Sequence, residues 1–218
     1  MKRSTAAILL SLLFLQAVPV SAKDGKKRRS KQAAPLLINF NFGLDTGLGH
    51  GNALLGEPED HWNFLDVGMT SVEMVKAADG TTTDMEMSFD PNDGKWGITD
   101  HQGVYHAYLY HNNRAVDLSC ELKYVPPGVW EVFVFAHGDA PDQNAAVDIQ
   151  CGDVLLTGKA TLNDGSWDFR SQEFVENNQY VRYVVDVQPG DVMRITSKRD
   201  GSNLSMFNAI QMRRIVAR

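Results

Sequence analysis

The sequence predicts an all-β chain folded as an antiparallel sandwich of two sheets, and three observations carry that expectation. From Leu36 onward hydrophobicity alternates with a period of two residues in many short runs, and no sustained 3.6-residue period competes with it. Eleven such runs follow one another at nearly regular spacing. The intervals are filled with turn formers: Asp79-Gly80, Asn92-Asp93-Gly94, Pro126-Pro127-Gly128, Gly152-Asp153, Asn163-Asp164-Gly165, Pro189-Gly190-Asp191 and Asp200-Gly201. Many short strands separated by turns read as a sandwich, with a barrel as the alternative closure.

Taken in order, the expected strands are Leu37–Phe42, Ser71–Ala77, Thr83–Phe89, Ala107–Tyr110, Asp117–Tyr124, Trp130–Ala136, Ala145–Cys151, Val154–Gly158, Tyr180–Val187, Val192–Ser197 and Ser205–Arg213. Two of them are informative about position. In the fifth, Leu118, Cys120 and Leu122 alternate with Asp117, Ser119, Glu121 and Lys123, so one face meets water. The sixth places Trp130, Val132, Val134 and Ala136 on one face and Val129, Phe133 and Phe135 on the other. A strand apolar on both faces is central and covered on both sides.

Composition agrees. With 43% hydrophobic residues, 18 Gly and 8 Pro against 22% charged, the chain is too apolar for disorder and too punctuated for a helical bundle. The formal charge of −6 hides an asymmetry: from Leu36 onward the balance is −13. Such a body repels phosphate backbones, so no nucleic-acid partner is expected.

The N-terminus is read separately. Lys2 and Arg3, the apolar run Ala6 to Val18, Pro19 and the small residues Val20, Ser21 and Ala22 follow the order of a secretory signal peptide occupying residues 1–22, cut before Lys23. The apolar run is too short to span a bilayer comfortably, no other segment could, and so no membrane span is expected. Residues 23–35 carry six positive charges between Lys23 and Lys31 with nothing to bury, which reads as a disordered basic arm. Residues 36–218 form one expected β-sandwich domain, exported to an extracellular or periplasmic compartment.

Cys120 and Cys151 share strand faces with apolar neighbours and are expected to be buried. A disulfide between them forms if their strands adjoin or face one another; strands flanking Trp130–Ala136 in a simple meander put them nearly 10 Å apart, too far to bond.

The succession Ile38-Asn-Phe-Asn-Phe-Gly43, Trp62-Asn63, Ala107-Tyr-Leu-Tyr110 and Pro127-Gly-Val-Trp-Glu-Val-Phe-Val-Phe-Ala-His-Gly138 resembles a group of exported bacterial β-sandwich proteins frequent in planctomycetes and verrucomicrobia. Gln143-Asn144, Gln179-Tyr180-Val181 and Phe207-Asn-Ala-Ile-Gln-Met212 extend the resemblance over nearly the whole body. The resemblance implies a galactose-binding-like jelly roll, the scaffold of many carbohydrate-binding modules. Jelly rolls of this kind often carry a structural calcium, so the expected cofactor is none or a structural calcium. They often place a ligand-binding Asn where Asn208 precedes the last strand, a place that a turn-satisfying Asn fits equally. Members of the group often bear a C-terminal sorting tail; Arg218 ends this sequence without one, which weakens the expectation of surface anchoring.

Candidate chemistry follows from residue types. Of six histidines, His101, His106 and His111 are spaced by five, an odd interval that puts neighbours on opposite faces of a strand, and no zinc pattern is present. Asp139, Asp142 and Asn144 follow a strand and supply oxygens suited to calcium, while Asp and Asn also serve turns there. No nucleophile elbow or phosphate loop occurs. Aromatic residues beside loops are the stronger lead, since a sugar's C–H face stacks on an indole or phenol while amides and carboxylates bind its hydroxyls. Trp62-Asn63, Trp96, Tyr105 and Trp167-Asp168 qualify, each loop indole reading either as a plug that seals the sandwich edge or as a binding platform, with Trp130 assigned to the core. The expected ligand set is Trp62, Asn63, Trp167, Asp168 and Asn208. The expected function is a secreted non-catalytic module for carbohydrate or a cell-envelope polymer. The alternatives are a structural or adhesive envelope protein and, behind it, a secreted glycan hydrolase.

Overall fold

The computed structural model describes residues 35–43 and 53–217, so the expected signal peptide, the expected basic arm up to residue 34 and His50 lie outside the described residues. Among the described residues fourteen strands assemble into three sheets. β1 (Leu37–Phe42), β2 (Asn63–Leu65), β8 (Gly128–Phe135), β11 (Tyr180–Val187) and β14 (Ala209–Ala217) make a five-stranded sheet in the order β11-β8-β14-β1-β2. β3 (Ser71–Val72), β4 (Glu86–Phe89), β7 (Leu118–Lys123), β9 (Ala145–Cys151), β10 (Val154–Ala160) and β12 (Met193–Arg199) make a six-stranded sheet ordered β10-β9-β12-β7-β4-β3. A small sheet, β13-β6-β5, joins β5 (Gly94–Gly97), β6 (Ala107–His111) and β13 (Ser205–Phe207).

The all-β sandwich read from the periodicity is present, and the two informative strands behave as the alternation demands. β7 buries Leu118, Cys120 and Leu122 and turns Glu121 toward Arg194 of β12, at 2.8 Å on the wet face. β8 sits between β11 and β14, and both of its faces are covered. Trp130, Val132 and Val134 enter the inter-sheet core with Ile149 and Ile195 of the other sheet. Phe133 and Phe135 pack on Tyr180 at 5.9 and 5.3 Å, and Phe174 meets Phe135 edge-on at 5.2 Å. On that same outward face Glu131 is buried between Arg182 and Arg213. Burial alone would raise its carboxyl pKa, but the two guanidinium groups outweigh it and hold the pKa below the usual value.

Three departures have local causes. β2 pairs parallel with β1, so the sandwich is not wholly antiparallel. The expected strand Ser205–Arg213 is broken at Asn208, where β13 leaves the small sheet and β14 enters the large one. The expected strand Ser71–Ala77 keeps its ladder only over Ser71–Val72 and then continues through single bridges at Lys76 and Ala77.

Cys120 and Cys151 are buried and free. Cys120 pairs with Ile195 and Cys151 with Met193, so β7 and β9 flank β12 and the thiols stand two strand spacings apart, beyond disulfide reach. Burial raises the Cys120 thiol pKa strongly and pushes that of Cys151 up to about 12, with Asp191 beside it contributing. Thiol titration should therefore count two free thiols in denaturant and slow or no reaction in the native protein at neutral pH; one missing thiol pair would overturn this.

Candidate functional site

The pairing of β5 with β6 builds the most developed surface site. Trp96 lies opposite Tyr108, and Gly94 opposite Tyr110. Directly opposed residues share a sheet face, so three aromatic rings project to one side. Gly94 matters here because a Cβ at that position would stand 3.0 Å from the Tyr110 hydroxyl, so the absence of a side chain lets the phenol lie across β5. Tyr108 is buried, with its phenol pKa raised by that burial, whereas Trp96 remains 62% exposed.

The opposite wall is the loop after β8. Gly138 and Gln143 close it through Gly138 N–H to Gln143 C=O at 2.7 Å, and Gln143 N–H to Ala140 C=O at 2.9 Å. A Cβ on Gly138 would collide with the Gln143 amide at 2.4 Å, so the closure requires glycine. Asp139 ties this loop to the turn that follows β5: its carboxylate accepts from Thr99 N–H at 2.8 Å and from the Thr99 hydroxyl at 3.0 Å. Between the walls lies an open cleft of about 340 Å³ lined by Trp96, Tyr108, Tyr110, Asn112, Asp139, Ala140, Gln143 and Leu204. The Gln143 Oε1 is shielded yet has no hydrogen-bond partner among the described residues, and neither has the hydroxyl of Tyr105. Tyr105 is fully buried, and burial, then Tyr108 and Asp139, drive its pKa well above the usual value.

Most of the ligand residues expected from sequence serve the framework instead. Trp62 is 2% exposed and belongs to the core. The Asn63 amide donates to the carbonyls of Asn39 at 3.0 Å and Lys76 at 2.8 Å and accepts from Lys76 N–H at 2.9 Å, which fastens the parallel β2 in place. Asn208 is fully buried: its side chain accepts from His137 N–H at 2.8 Å and donates to Ala107 C=O at 3.1 Å. Trp167 and Asp168 are exposed, at a separate place in the long connection after β10.

The expected calcium ligands are likewise engaged. Asp139 also pairs with Arg170 at 2.8 Å. Asn144 is buried, donates to Thr161 C=O and Asp200, and accepts from Asn163 at 2.9 Å. Asp142 is exposed on the loop. Asp139 and Asn144 are thus both engaged by protein groups, and no cluster of three His, Cys, Asp or Glu able to hold a metal occurs among the described residues.

Compared with known proteins, the chain matches no family model and no curated protein. Among solved structures it is similar to protein YXIM from Bacillus subtilis, at 12% identity over 83% of this chain and 40% of that one, with a TM-score of 0.41. It is also similar to a family 35 carbohydrate binding module from Clostridium thermocellum, at 15% identity over 59% of this chain and 91% of that one, TM-score 0.35. A calcium binding mutant of Bacteroides uniformis β-glucuronidase 2 gives 12% identity over 83% of this chain and 18% of that one, TM-score 0.44. The chain spans less than half of the Bacillus protein and under a fifth of the glucuronidase. At identities this low, function has to be argued from the cleft itself.

Trp96 is visible in the sequence as an aromatic near a turn, whereas Tyr108, Tyr110 and Gln143 enter only through the motifs of the resemblance and Asn112 carries no signal of its own. The available signal was the spacing of Tyr108 and Tyr110, two phenols on the same face of a strand whose other face, through Leu109, enters the core.

Proposed function

We propose that this chain is a secreted, non-catalytic module that binds carbohydrate in the cleft between β5–β6 and the loop 138–143. The observation that carries the reading is the union, in one open cleft, of a largely exposed indole with amide and carboxylate groups and an unpartnered shielded acceptor. A pyranose presents flat C–H faces that stack on Trp96 and Tyr110, and hydroxyls around its rim that donate to Asn112, Asp139 and Gln143. Among the described residues the only carboxylate lining this cleft is Asp139, already fixed by Arg170 and Thr99, so these residues offer no pair of carboxylates to act as acid and base on a glycosidic bond. The leader-like order of Lys2, Arg3 and the Ala6–Val18 run supports export.

Polysaccharide pull-down followed by calorimetric titration of the soluble hits tests the proposal. The native protein should bind at least one neutral glycan with a dissociation constant in the millimolar to micromolar range, about −4 to −8 kcal/mol. Trp96→Ala should weaken it by roughly a hundredfold, about 2.7 kcal/mol, with a melting temperature within a few degrees of native because the indole is mostly outside the core. Equal affinity in the variant removes the cleft as the site. Failure to bind any glycan, with salt-sensitive self-association instead, favours the structural envelope role.

A further inference from the structure

Trp167 does not line the cleft, yet it is held in a built arrangement. His137 stacks on Phe169 at 4.0 Å and 15°, and Phe169 meets Trp167 at 5.8 Å. The Arg170 guanidinium lies 4.2 Å over the Trp167 ring and 5.6 Å from that of Phe169. Arg170 Nη2 in turn donates to the Asp139 carboxylate at 2.8 Å and to the Asp139 carbonyl at 3.0 Å. A single residue, Asp139, therefore lines the cleft and anchors the cation on which Trp167 is seated. Arg170 and Phe169 take up part of the indole surface, and Trp167 is still 53% exposed, which leaves the remainder of the ring open to a ligand. Asp168, next in the chain, is exposed too.

We infer that Trp167 and Asp168 form a second sugar subsite, reached from the cleft across Asp139 and Arg170, so that the ligand class is a polysaccharide chain rather than a single terminal sugar; this rests on the carbohydrate reading of the cleft. Trp96 lines the cleft that Asp139 borders and Trp167 is seated on the Arg170 that Asp139 holds, so two exposed indoles joined through one Asp139–Arg170 pair offer stacking surfaces to successive parts of one chain. The bridge between them is a neutralised ion pair, so an uncharged chain crosses it without meeting a bare charge. The exposed Asp168 carboxylate is placed beside the second indole to accept sugar hydroxyls. The ordered stacking of Arg170 on Trp167 lowers the entropy lost when a ligand docks there.

The experiment is titration of the full chain with laminarin, xylan and galactan oligosaccharide ladders of one to six units, using native protein, Trp96→Ala, Trp167→Ala and Trp167→Phe. Native affinity should rise at least roughly tenfold from the single unit to the longest member of the ladder that binds. Trp167→Ala should flatten that rise, and Trp167→Phe, which restores a ring, should recover part of it. Trp96→Ala should weaken every member. Native affinity independent of chain length, or a rise that survives in Trp167→Ala, overturns the second subsite while leaving the cleft intact. Failure of native protein to bind any ladder at any length removes both the cleft reading and the subsite built on it.

Discussion

Asn208→Ala should destabilise the protein by about 2–6 kcal/mol, the largest single-residue loss expected outside the hydrophobic core. The reasoning starts from backbone groups. Where β13 leaves the small sheet and β14 enters the large one, the chain cannot continue either ladder, and the groups flanking the switch need other partners. Asn208 supplies them all: its own N–H donates to Phe135 C=O at 2.9 Å, its C=O accepts from Phe42 N–H at 2.9 Å, and its side chain satisfies His137 N–H and Ala107 C=O. Alanine keeps the first two and strands the last two, both in a fully buried place, each at about 1–3 kcal/mol. The measurement is urea unfolding of the variant and native proteins at one pH. A loss under about 1 kcal/mol would show that the switch is not held by this amide. The residue that resemblance pointed to as a ligand contact is thus a splice between sheets, and its replacement should reduce glycan binding only as far as it unfolds the protein.

What the sequence made legible divides along physical lines. Strands whose side chains alternate or are apolar on both faces, β7 and β8, were readable because a strand's own pattern reports its burial. β2 and β5, three and four residues long, are too short to carry a period. The two tryptophans near turns, Trp62 and Trp96, illustrate why site residues were harder. Both sit among polar neighbours, and nothing local says which one is buried. Trp62 is drawn into the core because Asn63, beside it, clamps β2 to β1 and to Lys76, which are distant in sequence. Trp96 stays 62% exposed although Tyr108, directly opposite it on the same face, is 2% exposed and packs in the core. The tertiary surroundings of each ring decide both cases, and they are not written in composition or spacing. The parallel β1–β2 contact was hidden for the same reason, since turn signals announce hairpins and not crossovers.

Lowering the pH from about 7 to about 5 should destabilise the protein through two buried histidines, and most of all at the connection that carries Trp167. Both rings of His101 and His137 are lodged between carbonyls. In His137, Nδ1 contacts Gly138 C=O at 2.6 Å and Nε2 contacts Leu162 C=O at 3.0 Å. In His101, Nδ1 contacts Gln102 C=O at 2.8 Å and Nε2 contacts Ser171 C=O at 3.2 Å. A neutral imidazole donates only one proton, so each ring carries one N–H bond and one nitrogen facing an acceptor. Burial lowers both pKa values and is the largest influence; the carbonyls, together with Asp139 and Asp142 near His137, pull upward without overcoming it, and His106 adds a further lowering at His101.

The sign follows from proton counts. Above about pH 6.5 neither the folded nor the unfolded histidine binds a proton, and these groups leave stability independent of pH. Below it the unfolded chain takes up protons that the native rings refuse, so stability falls, approaching about 1.4 kcal/mol per pH unit for each histidine until the lowered native pKa is reached. The depressed carboxylates, Glu131 among them, act in the same direction only in more acidic solution, where carboxyl groups begin to protonate. Leu162 and Ser171 both belong to the connection bearing Trp167, so opening of that connection is what exposes either ring to water and relieves the burial that disfavours its charged form. Urea melts across this range should therefore show falling stability, and His137→Gln, which cannot ionise, should lose about half of the slope whatever its stability at neutral pH. Hydrogen exchange should quicken first in residues 161–179, and glycan ladders should lose their length dependence before they lose binding altogether. A flat stability profile between about pH 7 and 5, or an undiminished slope in His137→Gln, would show that these rings are protonated in the native state and that the carbonyl pairs, not burial, set their charge.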